Sequence, residues 1–274
     1  MRLSKIALGL GLAAVTAFTA ANAAKITVDY RHELRSEFTE NFDRICFIAA
    51  LDNGVGFYVD SSVKSGSNRP DAAKGVTGDH YEKGQWGDFS ANAVEMSLWY
   101  GYKIGNFTIT PGIITETAGQ TAYKPYVRLQ YNTDFGLWFA VRPRYDYARN
   151  DTINKTAYVG PDGKVAYAES QVGDYKTARI DAWIGYNSGN FGINYNYNHM
   201  WRLNDNADGT PSYLYDNKDT NYEQNIAVNY RMGQWNPYFE IGDMAVHSSK
   251  DDRQLRFRAG IQYTFLFQSM LSFI

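Results

Sequence analysis

The chain has 274 residues and a mean hydropathy of −0.45, enough for one barrel or two small domains. No apolar run of 18 residues follows the first two dozen positions, which excludes a membrane-crossing helix in the body of the chain. The formal charge of −2 gives no bulk attraction for an anionic partner, so any such preference must come from where the charges sit.

Residues 1–23 read as an export signal. Arg2 and Lys5 form a short basic start, Ile6 to Ala20 is apolar, and Ala21-Asn22-Ala23 fits a small-x-small cleavage site. Residues 24–274 then form the mature body. Its strands are expected near 25–33, 42–51, 55–63, 91–104, 107–116, 123–131, 135–148, 174–187, 191–203, 220–231, 235–247 and 253–265. The single cysteine, Cys46, falls inside the second strand. It has no partner for an intramolecular disulfide and reads as a small buried hydrophobe.

Side-chain character alternates with period two along these segments. Leu255, Phe257, Ala259, Ile261, Tyr263 and Phe265 oppose Arg256, Arg258, Gly260, Gln262 and Thr264. Phe135 to Tyr147 repeats the pattern. Alternation alone does not separate a soluble sandwich from a barrel in lipid, but the connections do. Asp52-Asn53-Gly54, Gly105-Asn106, Asn132-Thr133-Asp134, Ser188-Gly189-Asn190 and Met232-Gly233-Gln234 are tight turns. Between them lie polar loops at 34–41, 64–90, 117–122, 149–173, 204–219 and 248–252. Short turns at one end and longer loops at the other are the outer-membrane pattern. Aromatics bracket the short turns: Tyr102 and Phe107, Tyr131 and Phe135, Tyr186 and Phe191, Tyr230 and Trp235. They read as an interface girdle. The expected fold is all-β, a twelve-stranded antiparallel transmembrane β-barrel crossing a Gram-negative outer membrane, with both termini periplasmic. Leu266 to Ile274 either extend the last strand or form a short tail.

The inward set carries Arg31, Arg128, Arg142, Arg144, Arg179, Arg202, Arg231, Arg256 and Arg258, while Arg44 and Lys103 fit either face. Inward acids are read at Asp29, Glu95, Asp146, Asp181 and Glu240, leaving a basic excess. Barrel closure sets Arg31, Arg256 and Arg258 on one wall, half a circumference from Arg128, Arg142, Arg144 and Arg179. Guanidinium forks match carboxylates, and several weak sites in series permit entry without trapping. Asn194, Asn196, Asn198 and Tyr238 offer partners for sugar hydroxyls. Some arginines must be paired, since Asp181 lies two residues from Arg179 and Asp146 two from Arg144.

Asp29-Tyr30-Arg31-His32-Glu33, then Asp43-Arg44-Ile45, Thr110-Pro111-Gly112, Tyr123-Lys124-Pro125-Tyr126, Arg142-Pro143-Arg144-Tyr145 and Arg256 through Phe265 resemble the oligogalacturonate-specific porin family (KdgM-type porins). The resemblance spans the mature chain. It implies a monomeric twelve-stranded channel for acidic oligosaccharides, either oligogalacturonates or N-acetylneuraminic acid. Arg31, Arg142, Arg144, Arg256 and Arg258 match the family's lumen arginines. The apolar tail departs from the usual aromatic terminus.

Two other functions compete. An outer-membrane enzyme needs a nucleophile with a base in reach, and His32, His80, His199 and His247 enter no such arrangement. A structural or adhesive barrel with a plugged lumen would require inward acids and arginines to cancel completely. No metal-ligand cluster, cofactor motif or nucleic-acid signature is evident. The expected partners are acidic oligosaccharides and outer-membrane lipid.

Overall fold

Alternation dictates two faces. The computed structural model describes residues 23–37, 41–65, 90–118, 120–150, 153–159, 165–171 and 173–268. Its strands are β1 (Ala23–Arg35), β2 (Asn41–Leu51), β3 (Val55–Ser65), β4 (Ser90–Tyr100), β5 (Tyr102–Ile104), β6 (Phe107–Thr117), β7 (Thr121–Asn132) and β8 (Leu137–Arg149). They continue as β9 (Ile153–Val159), β10 (Val165–Gln171), β11 (Tyr175–Ser188), β12 (Phe191–Arg202), β13 (Thr220–Tyr230), β14 (Trp235–Ala245) and β15 (Arg253–Gln268). The wall runs β4-β3-β2-β1-β15-β14-β13-β12-β11-β8-β7-β6, and pairing of β4 with β6 closes it. This is a closed twelve-stranded antiparallel barrel. Closure pairs each of the twelve staves on both sides, as a hydrocarbon environment demands. Among the described residues no helix is long and apolar enough to cross a membrane.

The strand expected over 91–104 is broken. Its alternation continues through Gly101, but the backbone there turns to donate its amide to the Gly54 carbonyl at 2.7 Å. The short β5 then pairs with β6. The loop expected over 149–173 carries its own β9–β10 hairpin, a separate two-stranded sheet. At the closing seam, Ala23 to Arg35 of β1 pair with Gln268 back to Arg256 of β15. The first residues of the apolar tail thus extend the last strand, while 269–274 lie outside the described residues. So do the signal segment up to residue 22 and most of loop 64–90.

Tight turns at the short end rest on backbone that favours glycine, as at Gly105 and Gly189, both at φ 56°. Every aromatic of the expected girdle is exposed, from Tyr131 at 36% to Phe135 at 68%. Phe107 and Tyr131 pack across β6 and β7 as a tilted pair with ring centroids 4.7 Å apart. The exposed set along the staves is apolar: Ile45 and Phe47, Val127 and Leu129, Ile193 and Tyr195, Leu255 and Ile261. The buried set is largely polar or charged, including Asp29, Glu33, Lys124, Asp181, Asn198, Asn225 and Arg256. This inversion of a soluble protein is what a lipid solvent selects. Cys46 is buried on β2, as expected of a small hydrophobe.

Candidate functional site

Inward side chains come from alternate residues of each stave, so cross-strand register decides which charges meet. Around β15, β1 and β2 the meeting is close to one arginine per carboxylate. Arg258 lies opposite Glu33 in one register and Glu240 in the other. It donates to Glu33 at 2.7 Å and to Glu240 at 2.6 Å. Glu33 also accepts from Arg35 at 2.9 Å, and Arg31 approaches it at 4.0 Å. Arg44 bridges Asp29 at 2.5 Å and Asp60 at 3.1 Å. The Tyr238 hydroxyl donates to Asp29 at 2.9 Å. Arg256 donates to Asn225 at 2.6 Å and faces Glu223 at 3.4 Å.

The β7–β8–β11 wall is built differently. Asp181 is fully buried and lies opposite Arg142. It accepts from Arg142 at 2.8 Å and from Arg179 at 2.6 Å, one carboxylate between two guanidiniums. Arg144 pairs with Asp146 through two bonds of 2.6 Å. Arg128 has no carboxylate partner among the described residues, and its guanidinium lies 5.3 Å from the centre of the Trp183 ring. Arg142 lies 5.3 Å from the same ring and 5.4 Å from that of Tyr126. Beside this wall Lys124 joins Glu116 at 2.5 Å and Glu95 at 3.4 Å. Tyr58 donates to Glu95.

Arg202, near the long-loop end, donates to Thr177 Oγ1 at 2.9 Å and lies 4.5 Å over the Tyr175 ring, again with no carboxylate among the described residues. It borders a cavity of about 280 Å³ that also meets Lys124, Asp146 and Glu116. A second cavity of about 220 Å³ lies between Arg31, Arg44, Asp60, Glu95 and Arg258. Narrow compartments lined by charge are what a barrel of this size should hold. At the rim Asp174 accepts from the Tyr147 hydroxyl and from the Asn150 amide at 3.1 Å, bonds that hold its carboxyl below the usual carboxylate range.

Among the nine expected arginines, eight join this inward network. Arg231 does not: it lies past the end of β13, exposed at the short-turn rim, because the strand stops at Tyr230. Lys103 is likewise exposed, in β5, whereas Arg44 faces inward. The expected excess of base over acid is smaller than the sequence suggested. Glu33, Asp60, Glu116 and Glu223 also take part, and each is in step with inward neighbours on its own strand. Period-two counting applied along the whole of each strand would have found them. Lys124 was missed as an inward base for the same reason.

Three comparisons bear on this arrangement. The model of a family described as "Oligogalacturonate-specific porin protein (KdgM)" matches residues 18–265. The chain belongs to that porin family. It is 32% identical over 252 residues, covering 89% of this chain and 92% of the relative, to a Salmonella typhimurium protein named "Uncharacterized protein YiiY". It is 27% identical over 263 residues, covering 92% and 97%, to the oligogalacturonate-specific porin KdgM of Dickeya dadantii. Among solved structures the fold is similar to that of the NanC porin, with a TM-score of 0.59, 19% identity and coverage of 86% and 98%. This porin is therefore a transmembrane β-barrel of the Gram-negative outer membrane. Its family consists of channels and not of enzymes. Among the described residues no group of three His, Cys, Asp or Glu could hold a metal ion.

Proposed function

We propose that this porin passes acidic oligosaccharides, of the oligogalacturonate or sialic acid type, by passive diffusion, and that it works as a monomer in outer-membrane lipid. The observation that carries the reading is the incomplete neutralisation of the β7–β8–β11 wall. Among the described residues Arg128 has no carboxylate of its own, and Arg142 and Arg179 share Asp181. A permeating carboxylate can replace the missing partner there, since guanidinium forks bind carboxylates in two-pronged geometry. Arg202 is a further cation near the entrance with no carboxylate partner among the described residues. Arg31, Arg144, Arg256 and Arg258 extend the basic path but already hold carboxylate neighbours, so exchange with a passing sugar costs more there. Asn196, Asn225 and Asn229 add neutral donors for hydroxyls.

The relatives point the same way. One is named for oligogalacturonate specificity, and a KdgM porin, 19% identical here, has been solved in complex with disordered oligogalacturonate. A plugged structural barrel would need full cancellation of the lumen charge, and Arg128 and Arg202 speak against it. The test is a planar-bilayer recording of the mature protein under a salt gradient, with a galacturonate oligomer added to one side. Anion selectivity with interrupted current is expected. Cation selectivity, or current indifferent to the sugar, would overturn the proposal.

A further inference from the structure

Two indole rings lie flat on the lumen wall near the short-turn end, each spread over a glycine on the neighbouring strand. Trp138 of β8 is directly opposite Gly185 of β11, and Trp99 of β4 is opposite Gly56 of β3. A Cβ at Gly185 would lie 2.3 Å from Trp138 Cε2, and one at Gly56 would lie 2.3 Å from Trp99 Cε2. The rings therefore occupy the space any other residue would fill. An aromatic covering a facing glycine braces a strand pair. Inside a pore it does something more: it keeps a bulky group out of the passage and turns one ring face toward it. Both tryptophans are only partly buried, so each keeps part of its surface accessible. Tyr126 over Gly112 and Tyr238 over Gly260 repeat the arrangement higher up. Their hydroxyls are engaged, by Ser97 at 3.4 Å and Asp29 at 2.9 Å.

A pyranose ring has a face of C–H bonds carrying partial positive charge, and an aromatic face carries partial negative charge. Resting on the reading above, we propose that Trp138 and Trp99 are stacking platforms for the sugar rings of a permeating oligosaccharide. They act on the neutral part of the chain while the arginines act on its carboxylates. Trp183 places the two side by side: its ring carries Arg128 and Arg142, and it sits two residues from Gly185 on the same face. The two contacts are separable, because stacking needs no charge.

Single-channel recordings with a galacturonate trimer and a neutral galactose trimer test this. In Trp138→Ala and Trp99→Ala pores, residence of both trimers should shorten by about two- to tenfold, the range expected for one aromatic contact. The salt-gradient reversal potential should not move. Trp138→Phe, which keeps a ring, should recover most of the residence time. If an alanine variant gives no channels, Trp138→Leu covers Gly185 without an aromatic face and should show the same shortening. Unchanged residence of both trimers in conducting variants would overturn the stacking proposal and leave the acidic-sugar reading intact. Retention of the neutral trimer without acidic preference in the parent protein would sustain stacking and sink the acidic-sugar reading. Failure of both trimers to interrupt the parent current would end both.

Discussion

On the wall formed by β15, β1 and β2 with the flanking β14 and β3, Glu33, Glu240, Asp29 and Asp60 answer Arg258, Arg35 and Arg44. On the wall of β7, β8 and β11, Asp181 and Asp146 answer Arg142, Arg179 and Arg144, and among the described residues no carboxylate answers Arg128. Both walls use the same residue types at the same period. They differ in whether the carboxylates suffice, and on the function proposed above that difference separates a brace from a binding surface. A satisfied ion pair gains little from a passing anion, because the anion must displace a carboxylate already in place. A guanidinium held over an indole ring without an anion has its charge still to be met.

The comparison can be broken most forcefully at Asp181. Asp181→Asn leaves two facing guanidiniums inside the wall and should destabilise the barrel by about 3–5 kcal/mol, the range for breaking a buried pair. Thermal unfolding in detergent reads the loss, and the pores that form should be more anion-selective. Glu33→Gln should convert the balanced wall into a basic one. It should cost somewhat less, about 2–4 kcal/mol, because the carboxylate is buried but its partner Arg258 keeps Glu240. Anion selectivity should rise, and a new retention of galacturonate oligomers would locate the gain on that side.

Arg128→Gln is expected to be the mirror case. Removing a cation that meets no carboxylate among the described residues should change stability by less than about 1 kcal/mol. Residence of galacturonate oligomers should nonetheless fall about tenfold, the loss of one charge-assisted contact. Arg258→Gln should do the reverse, with a clear fall in melting temperature and a smaller effect on sugar residence. If Arg258→Gln abolishes retention and Arg128→Gln does not, the walls have been assigned the wrong way round.

Much of the barrel was legible because period two, five tight turns and an aromatic girdle agree. The break at Gly101 was not legible, since side-chain alternation runs through it and only the backbone bond to Gly54 reveals it. Nor was the β9–β10 hairpin, whose short strands sit in a polar loop. The inward arginines followed from parity. Their partners did not, because Arg258 finds Glu33 across 225 positions and Arg142 finds Asp181 across 39. Such pairings depend on register around a closed wall, which no local pattern encodes. The positions of Trp138 and Trp99 over glycines on neighbouring strands were hidden for the same reason.

The most direct test sets Arg128→Gln beside the parent protein in a planar bilayer under a salt gradient, with a galacturonate trimer on one side. The parent should reverse at an anion-selective potential and show sugar-dependent interruptions. The variant should conduct with weaker anion selectivity and interruptions shortened about tenfold. Identical selectivity and identical interruptions in the two pores would contradict the assignment of the acidic-sugar path to the β7–β8–β11 wall.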